Sequence, residues 1–203
     1  MLKFDISINE DEYFKHSHNQ TEKNERSIEL VLCFRYVDTL KGNLIEIGAI
    51  TPYYRTISHH CLDPIDKKAT IKDFAETYDF TDKNVLSIST IEHIGLGDYN
   101  LEKNEGLSYD VLCDLYQKSK TCLISLPIGY NKYLDDKIMS NLDEFEYFFY
   151  VRESMLIPLG RHTSWKLIND ESGFNFIYNR NPKSANSVIF IIKGIEHGFS
   201  CTT

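Results

Sequence analysis

The sequence has no basic run, no CxxC pair, no internal repeat, and no apolar stretch approaching the ~20 residues of a membrane span. Each absence excludes a class of protein. Neutralising a phosphate backbone takes clustered Lys and Arg. Here 22 such residues are scattered among 30 Asp and Glu, for a formal net charge of −8, which argues against a nucleic-acid partner. A small anionic substrate held by one or two Arg remains compatible with that balance. The cysteines, Cys33, Cys61, Cys113, Cys122 and Cys201, are odd in number and form no close pair. Reduced, buried thiols are expected of them rather than a disulfide framework. His59 and His60 invite a metal reading, but strand neighbours point to opposite faces, so no metal is expected. The opening residues, MLKFDISINEDEYFK, are acidic and hold no signal-peptide core. A cytoplasmic protein with no membrane partner is expected.

What is present suits one globular domain. The chain has 203 residues, within reach of the common single-domain size, with 42% hydrophobic and 26% charged residues. At that length no metal or disulfide is needed to stabilise a core. Thirteen Tyr accompany twelve Phe, and Tyr both packs and hydrogen-bonds, so a share of them is expected to line a polar cleft or an interface.

Residues 1–22 are polar and read as a loosely packed arm, with residues 23–203 as the domain. Ile28, Val31, Leu32, Phe34 and Tyr36 space as an amphipathic helix between Thr21 and Leu40, stopped at Lys41-Gly42. Asn43–Ile50 reads as a buried strand of a parallel sheet. Further strands are expected at His59–Leu62, around Ala69–Phe74, at Asn84–Thr90 and at Thr121–Leu126, with helices over Glu105–Lys118 and Asn131–Glu144. Glu146–Val151 and Ser187–Ile192 read as a closing antiparallel pair. Residues 155–185, with Pro158, Gly160, Gly173 and Pro182, read as a long loop or lid. The expected fold class is α/β, a doubly wound, mostly parallel sheet with an antiparallel C-terminal strand pair.

Ligands of such sheets bind outside the carboxyl ends of the strands. The residues found there are Glu46 and Gly48, then Asp63, then Asp73 and Phe74, then Glu92, His93 and Gly95, then Tyr130 and Asn131. Most have a structural alternative. Asp63 precedes Pro64 and could simply open a turn. Asn131 could cap the next helix. His93 could be a general base, a substrate contact or a cap. A buried Glu46 needs a ligand or an Arg beside it. Arg152 and Arg161 could grip an anionic or sugar-like substrate or stand in a solvated loop.

Leu44–Ala49, an acidic residue followed by a glycine turn, is similar to the first motif of the class I S-adenosylmethionine-dependent methyltransferases. Leu86–Ile94, with its Ser-Thr-Ile-Glu-His string, resembles their fourth-strand motif, and Leu126–Asn131 resembles a fifth-strand motif of a small-molecule and glycan branch. The resemblance runs from about Thr21 to Asn131. It implies a Rossmann-like methyltransferase fold and S-adenosylmethionine as cofactor, held by Glu46, Gly48, Asp63, Asp73, Phe74, Ser89 and Thr90. With it, His93 and Tyr130 are expected as catalytic groups, and Glu92 and Asn131, joined by Arg152 and Arg161 from beyond the resemblance, are expected beside a small-molecule acceptor, for which a sugar- or nucleotide-linked compound is one option. Oligomerisation stays open. Ile50 and Pro52 stand where the motif has its later glycines. The alternative is therefore a methyltransferase-fold protein that no longer transfers methyl groups and serves as a binding or interaction subunit.

Overall fold

The computed structural model describes residues 2–40, 42–98, 103–157, 160–180 and 183–196, with side chains described for all of these except 2, 154–157, 160–163, 180 and 183. In chain order the elements are β1 (Leu2–Lys3), α1 (Arg26–Thr39), β2 (Leu44–Ile47), β3 (His60–Leu62), β4 (Asn84–Ile88), α2 (Leu107–Lys118), β5 (Thr121–Pro127), α3 (Lys132–Ser140), β6 (Glu146–Ile157), β7 (Gly160–Ile168), β8 (Asn179–Arg180), β9 (Lys183–Ser184), β10 (Ser187–Lys193) and β11 (Ile195–Glu196).

Seven strands form the main sheet in the order β3-β2-β4-β5-β10-β6-β7. The first four run parallel, and β10, β6 and β7 continue the sheet antiparallel. Side chains alternate between its faces. Ile45, Ile47, Val85, Cys122 and Ile124 meet Leu112 and Leu115 of α2 and Leu134 and Ile138 of α3. Leu44, Leu86, Ile88 and Leu123 meet Ile28, Leu32, Cys33 and Tyr36 of α1 on the other face. The protein is thus a mixed α/β structure with a parallel centre and helices on both faces. Its strand order is not that of a Rossmann sheet, so that finer expectation is corrected. The expected C-terminal pair forms, but not as a closed edge. β10 inserts between β5 and β6, and β7 extends the sheet beyond β6.

Two further expectations change. The arm is packed rather than loose. Phe4 and Ile6 are buried in the core on the α1 face, and β1 pairs with β11. The Tyr150 hydroxyl donates to the Ile6 carbonyl at 2.6 Å, and the Trp165 amide donates to the Tyr13 hydroxyl at 2.8 Å. Leu2, Phe4, Ile6 and Ile8 alternate with polar residues, a period of two hidden by the charge around it. The segment 155–185 is also more regular than a lid. β6 runs to Ile157, β7 occupies Gly160–Ile168, and a 3-10 turn at Glu171–Asn175 packs Phe174 edge-on against Phe149. Pro158 and Gly160 break the apolar stretch that starts at Met155, and mostly polar residues follow, so the composition resembled a loop. Residues 158–159 and 181–182 of the expected lid lie outside the described residues. Among the described residues, no helix is long and apolar enough to cross a membrane.

Candidate functional site

A charged group lies buried between the start of α1 and the carboxyl ends of β4 and β5. Glu29, on the inner stripe of α1, is fully buried. Its Oε1 accepts the Ser89 hydroxyl at 2.6 Å and the Ser125 hydroxyl at 2.7 Å, and its Oε2 meets Arg26 Nη1 at 3.0 Å. A buried carboxylate is tolerable only with such partners. Glu25, one turn earlier, accepts the Ala185 amide at 2.8 Å, and burial followed by the nearby Glu29 charge pushes its carboxyl up. Burial opposes the charge of Arg26, but Glu29 and then Glu25 outweigh it and raise its pKa.

The chain leaves β4 through a 3-10 turn, Ile91–His93, that carries the two groups of greatest chemical interest. Glu92 is 2% exposed, and its Oε2 has no hydrogen-bond partner among the described residues. Burial pushes its carboxyl well above the usual range and so favours the protonated form. His93 is half-buried. Its Nδ1 lies 2.7 Å from Asp98 Oδ2 and 3.1 Å from the Tyr130 hydroxyl, and its Nε2 lies 3.8 Å from Glu92 Oε1. The His93 and Tyr130 rings sit 4.5 Å apart, and Tyr178 meets Tyr130 edge-on at 5.3 Å. Burial pushes the Tyr178 phenol up to about 12. Asn131 caps α3 by accepting the Leu134 amide, while its side-chain nitrogen donates to the Glu92 carbonyl at 2.9 Å. The helix cap therefore also holds the turn that presents Glu92 and His93.

A second buried group surrounds Glu46. Its Oε1 accepts the Ile50 and Thr51 amides, each at 2.8 Å. Its Oε2 meets the Thr51 hydroxyl, His59 Nε2 at 2.7 Å and Cys61 Sγ at 3.5 Å. Gly48, at φ +81°, turns the chain so that those amides face back. A Cβ there would lie 2.6 Å from Thr90 Oγ1, so glycine is what lets the turns after β2 and β4 touch. Burial, then the Glu46 carboxylate, push the Cys61 thiol up. A cleft of about 550 Å³ opens beside His59, bordered by Leu40, Asn43, Ser58, His60 and Lys83. It lies toward the amino ends of β2 and β4, away from Glu92 and His93.

Of the residues singled out in the sequence, the fold brings Glu92, His93, Tyr130 and Asn131 together. Ser89 belongs to the Glu29 group, and Thr90 donates to the Ile88 carbonyl while flanking Gly48. Glu46 holds its own turn and His59 rather than an Arg. The Asp63 carboxylate accepts the Ile65 and Asp66 amides at 2.8 and 2.7 Å, and Asp73 takes the Phe74 amide and the Thr77 hydroxyl. Both acids close their own turns, and Phe74 is 39% exposed. Arg152 lies on β6 with its guanidinium 5.0 Å from the Trp165 ring. The side chain of Arg161, on β7, lies outside the described residues. Sequence reasoning missed Glu25, Arg26, Glu29, Ser125, Asp98, Thr51 and the grouping of His59 with Cys61. One signal was available: Glu25 and Glu29 fall on the same helical stripe as Cys33 and Tyr36, where only apolar residues would be expected.

No family model matches the chain, and no curated protein matches it. Among solved structures it is similar to one from Methanobacterium thermoautotrophicum described as precorrin 8W decarboxylase, at 12% identity and a TM-score of 0.41, over 93% of this chain and 100% of that one. That protein is named for decarboxylation, not for methyl transfer. The expectation of methyl transfer, and with it the alternative of a methyltransferase that has lost its activity, is corrected here and not retained. A likeness this slight brings the neighbour's own activity no closer to this chain.

Proposed function

We propose that this protein binds a small polar molecule in the crevice outside the carboxyl ends of β4 and β5 and moves a proton to or from it. Glu92 acts as the acid and His93 as the base. The observation that carries this reading is the adjacency of two proton-active groups in unlike surroundings. Glu92 is buried, biased toward its neutral form and left with an unpartnered Oε2. His93 next to it is half-exposed and held by Asp98 and Tyr130. Acid and base roles in one site are commonly separated by environment in this way. The parallel centre of the sheet, with helices on both faces, supports the placement, because ligands of open α/β sheets sit outside strand carboxyl ends. The Arg26–Glu29 pair and the Ser89 and Ser125 hydroxyls brace the floor. A neutral Glu92 would donate to a ligand carbonyl or hydroxyl, which points to a small polyol, carbonyl compound or nucleoside. S-adenosylmethionine, which the sequence resemblance implies as a cofactor, is retained as one probe of the adjoining Gly48 turn, apart from any methyl transfer.

Carboxyl carbon NMR across a pH titration tests the acid. A glutamate signal titrating well above the usual carboxylate range should vanish in Glu92→Gln, while the raised signal of Glu25 stays. Thermal-shift screening with sugars, carbonyl acids, nucleosides and S-adenosylmethionine tests the site. A stabilising compound should lose its effect in both Glu92→Gln and His93→Ala. Glu92 titrating with the exposed carboxylates, or hits indifferent to both variants, would remove the reading.

A further inference from the structure

We infer that Glu46, His59 and Cys61 form a binding site for a single borderline transition-metal ion, with Zn2+ the best match. The site is separate from the Glu92–His93 crevice and independent of the function proposed for it. Parallel pairing of β2 with β3 sets Glu46 opposite Cys61 in register, so both side chains stand on the α1 face of the sheet. His59, immediately before β3, folds back onto the same carboxylate. Oxygen, nitrogen and sulfur donors thereby come within 4.8 Å of one another. Carboxylate, imidazole and thiolate are the ligand types zinc takes, and three protein ligands leave a fourth position for water or a substrate.

Two of the three spacings fit an ion with little movement, and the third, His59 to Cys61, lies within 4.8 Å. Bonds of about 2.0–2.3 Å in tetrahedral array separate ligand atoms by roughly 3.3–3.7 Å. Cys61 Sγ already lies 3.5 Å from Glu46 Oε2. His59 Nε2, at 2.7 Å, would move outward by about 0.6 Å. Charge fits as well. A divalent cation with one carboxylate and one thiolate is neutral overall, the state a buried site tolerates. On binding, the Cys61 thiol proton leaves to solvent and a sulfur–metal bond forms, while the imidazole proton passes from Nε2, where it faces Glu46, to Nδ1 and frees Nε2 to ligate.

A second observation points the same way. The His59 side chain is 5% exposed, and its Nδ1 has no hydrogen-bond partner among the described residues. A buried imidazole supported only through Nε2 is an expensive way to satisfy Glu46, which already accepts two amides and a hydroxyl. His59 also borders the cleft of about 550 Å³, which gives an ion a route from solvent.

The full chain, stripped with chelator and then titrated with Co2+ and Zn2+, tests this. About one ion per chain should bind, and Co2+ should give a near-ultraviolet sulfur-to-metal charge-transfer band. X-ray absorption of the Zn2+ form should show one sulfur at about 2.3 Å beside nitrogen and oxygen. Cys61→Ser should abolish band and sulfur shell. His59→Gln should weaken binding by roughly a hundredfold or more, and Cys113→Ser should change neither. Circular dichroism of each variant separates lost binding from lost folding, and the wild-type sulfur count stands whatever the variants do. A folded wild-type chain that binds no ion, or a sulfur shell that survives in Cys61→Ser, would overturn the site.

Discussion

Glu29 and Arg26 show at the residue scale what a buried charge demands. Each is tolerable because the other is there, and Ser89 and Ser125 fill the remaining oxygen. Arg26→Leu should therefore cost about 3–5 kcal/mol in urea unfolding, because it leaves a buried carboxylate without its cation. Arg26→Leu combined with Glu29→Leu should cost less than the sum of the two single changes. Strict additivity would show that the pair is not coupled. Gly48 makes a different demand. Its φ of +81° and the approach of Thr90 leave no room for a side chain. Gly48→Ala should destabilise by about 1–3 kcal/mol in the same measurement. A loss within error would mean that the turn relaxes freely. The sequence pointed to Gly48 and Glu46 through their place at a strand end. It could not reveal the neighbours, because Thr90 and His59 arrive from other strands.

At the element scale α3 was legible because its cap is local. Asn131 precedes an amphipathic run, and its side chain accepts the Leu134 amide three residues on. What no local pattern shows is the other half of that side chain, which donates to the Glu92 carbonyl and to Ser108. Asn131→Ala should cost about 1 kcal/mol for the cap alone, and more with the lost cross-links. Asn131→Asp should restore the cap but not the donor to Glu92. Hydrogen exchange would then find α3 protected in the Asp variant while the Ile91–His93 turn opens. Equal protection of the turn in wild type and Asn131→Asp would show that the cap does not hold it. β10 illustrates the same limit. Its apolar run marks it as a buried strand, yet its position between β5 and β6 is a matter of pairing.

For the whole molecule, raised carboxyls set a pH dependence, Glu25 as described above and two more. Burial raises Asp135 to about 7 and Glu92 well above its usual range. Unfolded, all three ionise near pH 4. Between about pH 4 and pH 7 the folded state thus holds more protons than the unfolded one, and stability falls as pH rises through that window. Melting temperature should be higher at pH 5 than at pH 7.5. Asp135→Asn and Glu92→Gln should each flatten the slope, and a slope of the opposite sign in wild type would contradict both shifts. Around Ala69–Phe74 only an isolated bridge of Ile71 to Leu62 forms in place of the expected strand. Sequence by itself determined the other four parallel strands, the three helices and the strand-end positions of Glu92, His93, Tyr130 and Asn131. Apolar period and strand-end position are properties of consecutive residues, and those four lie at the ends of two such strands. Tertiary structure alone decided that the first residues pack as core, that the stretch after Met155 builds a hairpin, and that Glu46 meets His59 and Cys61. It also decided that Arg26, Glu29, Ser89 and Ser125 share one buried network. The physical reason is distance along the chain. Partners 60 residues apart, as Ser89 and Glu29 are, or 96 apart, as Ser125 and Glu29 are, meet only when sheet register and helix docking place them, and neither leaves a local periodicity to read.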